Sequence, residues 1–356
     1  SQIGYMMLGL GVSGLSEEAF VLGMTAGIFH LVSHALFKAA LFLCAGSVIH
    51  AVESIYITDM GGLKKWMPLT HAFMLLATLS LSGIPPFSGF WSKDAVFVAA
   101  LVTGKPYALA MLALGAVSAA MTFFYSLRMV SLTFYGHPSH HIEEIEHHAE
   151  KKEEHENGNH GEKEKADHEE HRAEKAEAHV PHLGEAKPIM WVPYGILVVI
   201  MVGVGLLGVV GLLVPSLSPE LFIESKFELM LEHMFEEMHL HLPVAHVTTA
   251  TKLTAIGLSA AMLLLGGLTG WYIYLARKVD PKEIVEKSPV LKGIYTFLWN
   301  RWYMNPTYYK VFVDGVLNLK EVVFRSLEKG VIDKISDAVS GAFTGFSRIA
   351  FKGFEN

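Results

Sequence analysis

The sequence predicts an all-α fold, namely a polytopic membrane helix bundle with one discontinuous helix, followed by a long amphipathic helix at the C-terminus. Three observations predict it: long apolar runs, a break rich in glycine and proline inside one of them, and apolar residues every three or four positions near the end. A membrane span needs ~20 predominantly apolar residues, so five of the six runs are long enough. The runs cover 1–12, 19–49, 68–102, 107–134, 189–215 and 250–276.

Composition is a weaker guide than the placement of the apolar residues. Of the 356 residues, 51% are hydrophobic, close to the roughly 45–50% of soluble domains. Cys44 is the single cysteine, which excludes an intrachain disulfide and a cysteine-ligated iron–sulfur or zinc site in this chain. The first run is too short to span, and the chain begins with Ser1. We therefore expect further sequence upstream or in another chain.

The lysines and arginines of the loops predict the orientation, because cytoplasmic loops carry an excess of these residues. Loops on the richer side contain Lys64, Lys65, the segment 135–188, Arg277, Lys278 and Lys282. Loops on the other side contain Lys105, Lys226 and Lys252. The richer side is assigned to the cytoplasm, which places the histidine-rich loop and the C-terminus there. The protein is expected in the inner or plasma membrane as a multi-pass chain.

Three ionisable residues recur at intervals of four in the second run, "HLVSHALFKAALF": His30, His34 and Lys38. In a helix each step rises about 6 Å and drifts by ~40°, so the three form a polar stripe. Lipid does not solvate such a stripe, which must therefore face protein or water. Burial favours the neutral forms of lysine and histidine, so both protonation states are accessible near neutral pH. These residues are candidates for a proton relay, and the alternative is that they only hydrogen-bond neighbouring helices.

The third run, "LSLSGIPPFSGFWSKDAVFV", is interrupted near its middle by four helix-breaking residues: Gly83, Pro85, Pro86 and Gly89. Proline removes a backbone donor and clashes with the preceding turn. A broken helix at membrane depth is tolerated where protein or water satisfies its freed groups, and such breaks often build ion sites. Lys93 and Asp94 lie just after Gly89, at the start of the second half-helix. Asp94 either neutralises Lys93 or caps the break. The alternative is a plain proline kink with a snorkelling lysine.

The predicted orientation puts the basic residues in sequence across the membrane. The second run begins outside, so Lys38 lies nearer the cytoplasm than His30, and Lys93 lies in the outer half of the third run. The order from inside outward is Lys38, His34, His30 and Lys93, which suits the outlet half of a proton path. Arg128 is a further charge in the fourth run. Arg128 either pairs with Asp94 or extends its charged end to the membrane surface, and the sequence does not choose between the two.

Residues 137–188 contain eleven histidines among many glutamates and lysines. So little of this segment is apolar that we expect a disordered loop or a frayed helix. Metal binding there is a weaker alternative, since the histidines follow no fixed ligand spacing, and we predict no metal site. Residues 189–276 add two spans joined by an amphipathic outer loop at 216–249.

The segment 277–356 ends in a predicted amphipathic helix at about 310–350, which would be ~60 Å long and lie along the membrane surface. Its apolar face contains Phe312, Val316, Leu319, Val323, Leu327, Val331 and Ile335, and it continues through Val339, Phe343 and Phe346. Three glycines, Gly330, Gly341 and Gly345, are candidate weak points. An exposed apolar face of this length usually marks an interaction site, although a surface helix without a partner is the alternative.

Several motifs together resemble one family. "HLVSHALFKAALFLCAGSVIH", "LSLSGIPPFSGFWSKDAV" and "FFYSLRMVSLTFYGH" are similar to the C-terminal half of subunit L (chain 5), the antiporter-like subunit of proton-pumping NADH–quinone oxidoreductase, respiratory complex I. Archaeal dehydrogenases that oxidise reduced deazaflavin (coenzyme F-420) contain a similar subunit. The resemblance runs from Ser1 to about Gly136, and resumes near Trp191 and at "LWNRWYMNPTYY".

The resemblance implies a role for each matched position. His30 and His34 match the histidines of the family's central hydrophilic axis, and Lys93 matches the lysine that releases the proton. Lys38 matches a further lysine of the motif. The C-terminal helix matches the lateral helix that runs beside neighbouring antiporter-like subunits. The family's first repeat, with its glutamate–lysine pair and central lysine, is absent here.

The implied function is proton translocation driven by electron transfer in partner subunits. This chain would hold no redox cofactor, whereas flavin, iron–sulfur clusters and a quinone or phenazine would reside in partners. Its own partners would be the lipid bilayer and other membrane-arm subunits, with no nucleic acid. Two alternatives stay open: the large subunit of a multisubunit sodium/proton antiporter, and a structural clamp of the membrane arm.

Overall fold

The computed structural model describes residues 1–148, 183–219, 222–223, 225–226, 229 and 247–354, and the described residues are almost entirely helical. The predicted all-α membrane fold is confirmed. Two compact units divide the chain, Ser1–Lys278 and Val279–Asn356. Most of the histidine-rich segment and of the outer loop at 216–249 lies outside the described residues.

The helices of the first unit follow the predicted apolar runs closely. They are α1 (Gln2–Ser13), α2 (Phe20–Val52), α3 (Pro68–Ser82), α4 (Ser88–Val102), α5 (Pro106–Phe134), α6 (140–148), α7 (Pro188–Gly211) and α8 (Thr249–Gly270). A π-helical turn, Trp271–Leu275, extends α8. Four stretches in the described part of the chain are long and apolar enough to cross a membrane: Glu17–Val52, Pro106–Phe134, Pro188–Gly211 and Thr249–Leu275.

The ordered structure extends past the predicted boundary at residue 136. Residues 140–148 form α6 because Ile142 and Ile145 have an apolar core to pack against, and both are buried. His141 also bonds through Nε2 to the carbonyl of Val52 at 2.9 Å. The start of the segment predicted as a loop or frayed helix is therefore part of the folded unit.

The long helix α2 lies at the centre of the first unit and packs against α1, α3, α4 and α7. Its crossing with α1 is close because glycines line it. A Cβ atom on Gly9 would lie 2.8 Å from the backbone nitrogen of Gly27, and one on Gly23 would lie 2.6 Å from the carbonyl oxygen of Gly9. Only glycine permits this backbone approach, which sets the polar side chains of α1 beside those of α2.

The second unit contains two short helices, α9 (Pro281–Glu286) and α10 (Pro289–Trp299), and then a long helical segment. That segment consists of α11 (Met304–Tyr308), α12 (Asp314–Val323) and α13 (Asp333–Phe354), joined by the π-helical stretches Tyr309–Val313 and Phe324–Ile332. We call residues 304–354 the lateral helix. It starts earlier than the predicted 310–350, and neither Gly341 nor Gly345 interrupts α13.

Candidate functional site

The predicted break in the third apolar run is present between α3 and α4. α3 ends where Gly83 adopts a left-handed conformation (φ 85°), and the Gly83 N–H bonds back to the carbonyls of Leu79 and Ser80. Glycine suits this conformation because it has no Cβ to clash. The peptide bond between Pro85 and Pro86 is cis, and α4 begins at Ser88.

The two half-helices touch directly at Ser80 and Gly89. The Gly89 N–H donates to the Ser80 hydroxyl at 3.2 Å, and the hydroxyls of Ser80 and Ser88 lie 3.3 Å apart. A Cβ atom on Gly89 would overlap the Ser80 carbonyl. The glycine therefore allows the contact that holds the halves of the broken helix together.

Lys93 is buried at this break, with 4% of its surface exposed. Its ammonium donates a hydrogen bond to the Leu81 carbonyl at 2.7 Å and lies 5.3 Å from the ring centre of Tyr5. The carbonyl end of a helix is partially negative, and an aromatic face attracts cations. Within the described residues Lys93 forms no ion pair with a carboxylate. Its burial argues against the snorkelling alternative.

His30 is fully buried beside Lys93 and uses both ring nitrogens. Nδ1 is hydrogen-bonded to the Ser92 hydroxyl at 2.9 Å, and Nε2 to the Gln2 side-chain oxygen at 3.0 Å. The Tyr5 ring meets the imidazole edge-on, with 5.4 Å between ring centres. Tyr5 therefore lies against both Lys93 and His30, and its hydroxyl donates to the Gly115 carbonyl at 2.6 Å.

The other two members of the predicted stripe have different surroundings. His34 is half-buried and packs edge-on against Phe37 at 5.4 Å. Lys38 is exposed in this chain, and its ammonium lies 4.5 Å from the ring centre of Phe42. The ~40° drift per step explains the difference, since it carries the stripe away from the buried face of α2. The structure does not bring Lys38 into the cluster around Lys93.

Two of the alternatives predicted for Asp94, ion pairs with Lys93 and with Arg128, are not found among the described residues. Asp94 forms no ion pair with Lys93 or Arg128, and its Oδ1 is buried without a hydrogen-bond partner. Lys252, at the start of α8, is near enough to interact electrostatically with Asp94. Arg128 is exposed and lies over the Tyr274 ring at 5.9 Å. Adjacent residues on a helix point about 100° apart, which directs Asp94 away from the Lys93 side of α4.

The site also contains Gln2, Tyr5 and Ser92, which sequence reasoning did not single out. Gln2 and Tyr5 are three residues apart, so they share one face of α1. A glutamine and a tyrosine on one face of an otherwise apolar run were the available signal for these two residues. The run is too short to span a membrane, so sequence reasoning had no grounds to place a functional site in it. The side-chain nitrogen of Gln2 is buried without a partner among the described residues.

No group of three or more His, Cys, Asp or Glu residues in the described part of the chain is placed to hold a metal ion. Most of the histidines between His137 and His182 lie outside that part.

A bundle of apolar helices with a buried basic cluster at a broken helix is an arrangement typical of membrane proteins that move ions. Residues 1–122 match the family described as NADH:quinone oxidoreductase/Mrp antiporter, transmembrane. This match confirms the predicted resemblance over residues 1–122.

Relatives extend the similarity over the rest of the chain. NAD(P)H-quinone oxidoreductase chain 5 of Picosynechococcus sp. is 33% identical over 363 residues, which cover 96% of this chain and 46% of that protein. NADH-quinone oxidoreductase subunit L of Rickettsia felis is 44% identical over 136 residues, covering 38% of this chain and 19% of that one. The chain therefore spans less than half the length of these relatives.

Among solved structures, the Mrp complex from Dietzia sp. DQ12-45-1b contains a chain with 25% identity and a TM-score of 0.42. The match covers 62% of this chain and 40% of that one.

Proposed function

We propose that this chain is a proton-translocating membrane subunit of a complex I–type dehydrogenase. The observation that carries the proposal is the burial of Lys93 at a helix break, where its ammonium bonds to the Leu81 carbonyl and pairs with no carboxylate of the described residues. Ionisable groups inside a membrane domain are costly and usually functional. The names of the relatives, which are NAD(P)H- and NADH-quinone oxidoreductase subunits, also support it.

In this proposal the chain's own side chains hold and pass the proton. His34 and Lys38 supply protons from the cytoplasmic side, His30 passes them on, and Lys93 releases them outward from its Nζ. The hydrogen bonds of His30 to Ser92 and Gln2 orient its ring for that transfer. The redox groups, namely flavin, iron–sulfur clusters and a quinone or phenazine, belong to partner subunits, with NAD(P)H or reduced deazaflavin as electron donor.

The test is Lys93→Ala in the assembled complex, with the number of protons pumped per electron pair measured in liposomes. Lys105→Ala is the matched control, because Lys105 is an exposed lysine in the turn after α4. We expect the first variant to lose pumping and the second to retain it. An unchanged stoichiometry in Lys93→Ala would refute the role of Lys93.

A second candidate is the large subunit of a multisubunit sodium/proton antiporter, since the matched family includes Mrp antiporters as well. The same buried lysine would serve that activity. Mass spectrometry of the purified native complex separates the two candidates. Partners that bind flavin or quinone favour the dehydrogenase, and a complex without redox subunits favours the antiporter.

We further propose that the lateral helix lies on the cytoplasmic side, together with the histidine-rich loop, and contacts neighbouring membrane-arm subunits. Its apolar face is exposed in this chain, with Leu319 62% and Leu327 56% exposed. Leu327→Glu should weaken assembly in native gels, whereas Lys320→Glu should not. Deletion of 310–356 tests the clamp alternative, because loss of assembly with residual pumping favours a clamp role for that segment.

A further inference from the structure

The first turn of α3 is held by a carboxylate from a distant part of the chain. Oε2 of Glu185 accepts from the Leu69 N–H at 2.6 Å and from the Thr70 N–H at 3.3 Å, and Oε1 accepts from the Thr70 hydroxyl at 2.5 Å. Pro68 has no N–H, and the His71 N–H bonds to a carbonyl of the preceding turn at 2.9 Å. Glu185 thus supplies the acceptor for both otherwise unpaired donors of this helix end.

The same contacts join α3 to α7. The hydroxyls of Thr70 and Tyr194 share a hydrogen bond of 2.8 Å, and both residues are fully buried. One turn further on, Phe73 packs edge-on against the Tyr194 ring at 5.7 Å and stacks on Trp191 at 6.3 Å. Glu185 itself lies three residues before α7 begins. The N-terminal end of α3 is therefore fixed by hydrogen bonds and ring contacts together.

The opposite end of α3 provides the acceptor for Lys93. Leu81 is eleven residues beyond Thr70, a distance of ~16 Å along the helix axis. A helix of this length transmits a displacement of one end to the other, because its hydrogen bonds keep it straight. A shift at Thr70 consequently moves the carbonyl that receives the Lys93 ammonium.

We infer that Glu185 is a positioning residue for Lys93. Its carboxylate caps α3 and, through Thr70, ties that helix to α7, which fixes the Leu81 carbonyl against the ammonium. The inference rests on the proposed function of Lys93. Glu185 does not touch the Lys93 cluster, and it acts only through α3.

The competing interpretation is that Glu185 itself carries a proton at the cytoplasmic surface. Glu185→Gln separates the two roles, because the amide keeps an oxygen acceptor for the Leu69 and Thr70 N–H groups but does not bind and release a proton. Glu185→Ala removes both capacities. Glu146→Ala is the matched control, since Glu146 is a partly exposed carboxylate in α6 that pairs with Lys65 at 3.1 Å.

The experiment measures two quantities on the assembled complex: hydrogen exchange at Leu69 and Thr70, and proton pumping in liposomes. Loss of a helix N-cap should speed exchange about fivefold in Glu185→Ala, and pumping should fall several-fold. Glu185→Gln should retain slow exchange and most of the pumping, and Glu146→Ala should match the wild type. Should Glu185→Ala fail to assemble, Tyr194→Phe removes one hydroxyl of the cluster while keeping the ring, and a partial loss of pumping is expected.

Three results overturn the inference. The first is unchanged pumping in Glu185→Ala, or unchanged pumping in Tyr194→Phe if Glu185→Ala does not assemble. The second is pumping lost equally in Glu185→Gln and Glu185→Ala while exchange stays slow, which identifies a proton carrier. The third is unchanged exchange in Glu185→Ala. Hydrogen exchange at α3 does not depend on proton transport. Normal pumping in Lys93→Ala would refute the proposed function, whereas unchanged exchange in Glu185→Ala would refute the capping role of Glu185, so the two failures are distinguishable.

Discussion

The ammonium of Lys93 lies 2.7 Å from the carbonyl oxygen of Leu81, so one half of the broken helix accepts a hydrogen bond from the other half. A straight helix would have used that carbonyl for its own backbone. The break frees it, and the freed acceptor compensates part of the cost of burying an ammonium group. The site and the break therefore depend on each other.

Lys93→Arg should abolish pumping even though it keeps the positive charge. The guanidinium stays protonated at any physiological pH, so it cannot release a proton from this position. Stoichiometry in liposomes measures the effect, with Lys105→Arg as the control. Wild-type pumping in Lys93→Arg would mean that a fixed charge is sufficient and that Lys93 does not release protons.

His30→Phe should lower both pumping and stability, and His34→Phe should lower stability less. Loss of the His30 ring nitrogens leaves the buried Gln2 side-chain oxygen unpaired and the Ser92 hydroxyl with only its 3.4 Å bond to the Gly89 carbonyl, at a cost of about 1–3 kcal/mol. His34 is half-buried, and the described residues give it no such pair of hydrogen bonds. Thermal unfolding of the purified complex compares the two, and equal destabilisation would contradict the importance of the His30 hydrogen bonds.

Tyr5→Phe and Tyr5→Leu separate the two contacts of one side chain. Phe keeps the ring next to Lys93 and His30 but loses the bond to the Gly115 carbonyl, so stability should fall by about 0.5–1.5 kcal/mol with pumping retained. Leu also removes the ring, and pumping should fall. The opposite ranking, with Phe the more defective in pumping, would assign the role to the hydroxyl.

Gly89→Ala should disrupt the site through the backbone. The added Cβ overlaps the Ser80 carbonyl, and backbone atoms do not move aside cheaply. Separation of the half-helices would displace Lys93, and we expect loss of both assembly and pumping. Gly46→Ala is the control, because a Cβ there meets nothing within 4 Å. Normal assembly of Gly89→Ala would show that the two halves need not touch.

The fold was largely predictable because its signals are local. Long apolar runs give spans, and the residues from Gly83 to Gly89 give the break, since glycine and proline act through their own backbone. The burial of His30 and Lys93 also followed from charge within an apolar run. The boundary at residue 136 was less predictable, because α6 depends on Ile142 and Ile145 finding a core formed elsewhere in the chain.

The partners of the charged residues were not predictable, because they depend on how distant helices pack. Tyr5 joins Lys93 and His30 only because glycines let α1 approach α2 closely. Ion pairs of Asp94 with Lys93 or Arg128 were among the open alternatives, yet Asp94 points elsewhere from the same helix. Sequence spacing fixes which residues share a face, but not which neighbour that face meets.

The two π-helical stretches of the lateral helix have a geometric consequence. From Leu319 to Phe343 the apolar residues recur every four positions, and in a uniform α-helix six such steps would wind the stripe about 240° around the axis. The wider π turn between Phe324 and Ile332 takes more residues per revolution, which offsets part of that winding. The apolar face of the lateral helix therefore runs more nearly parallel to the helix axis. A neighbouring surface can contact it along its length without coiling around it.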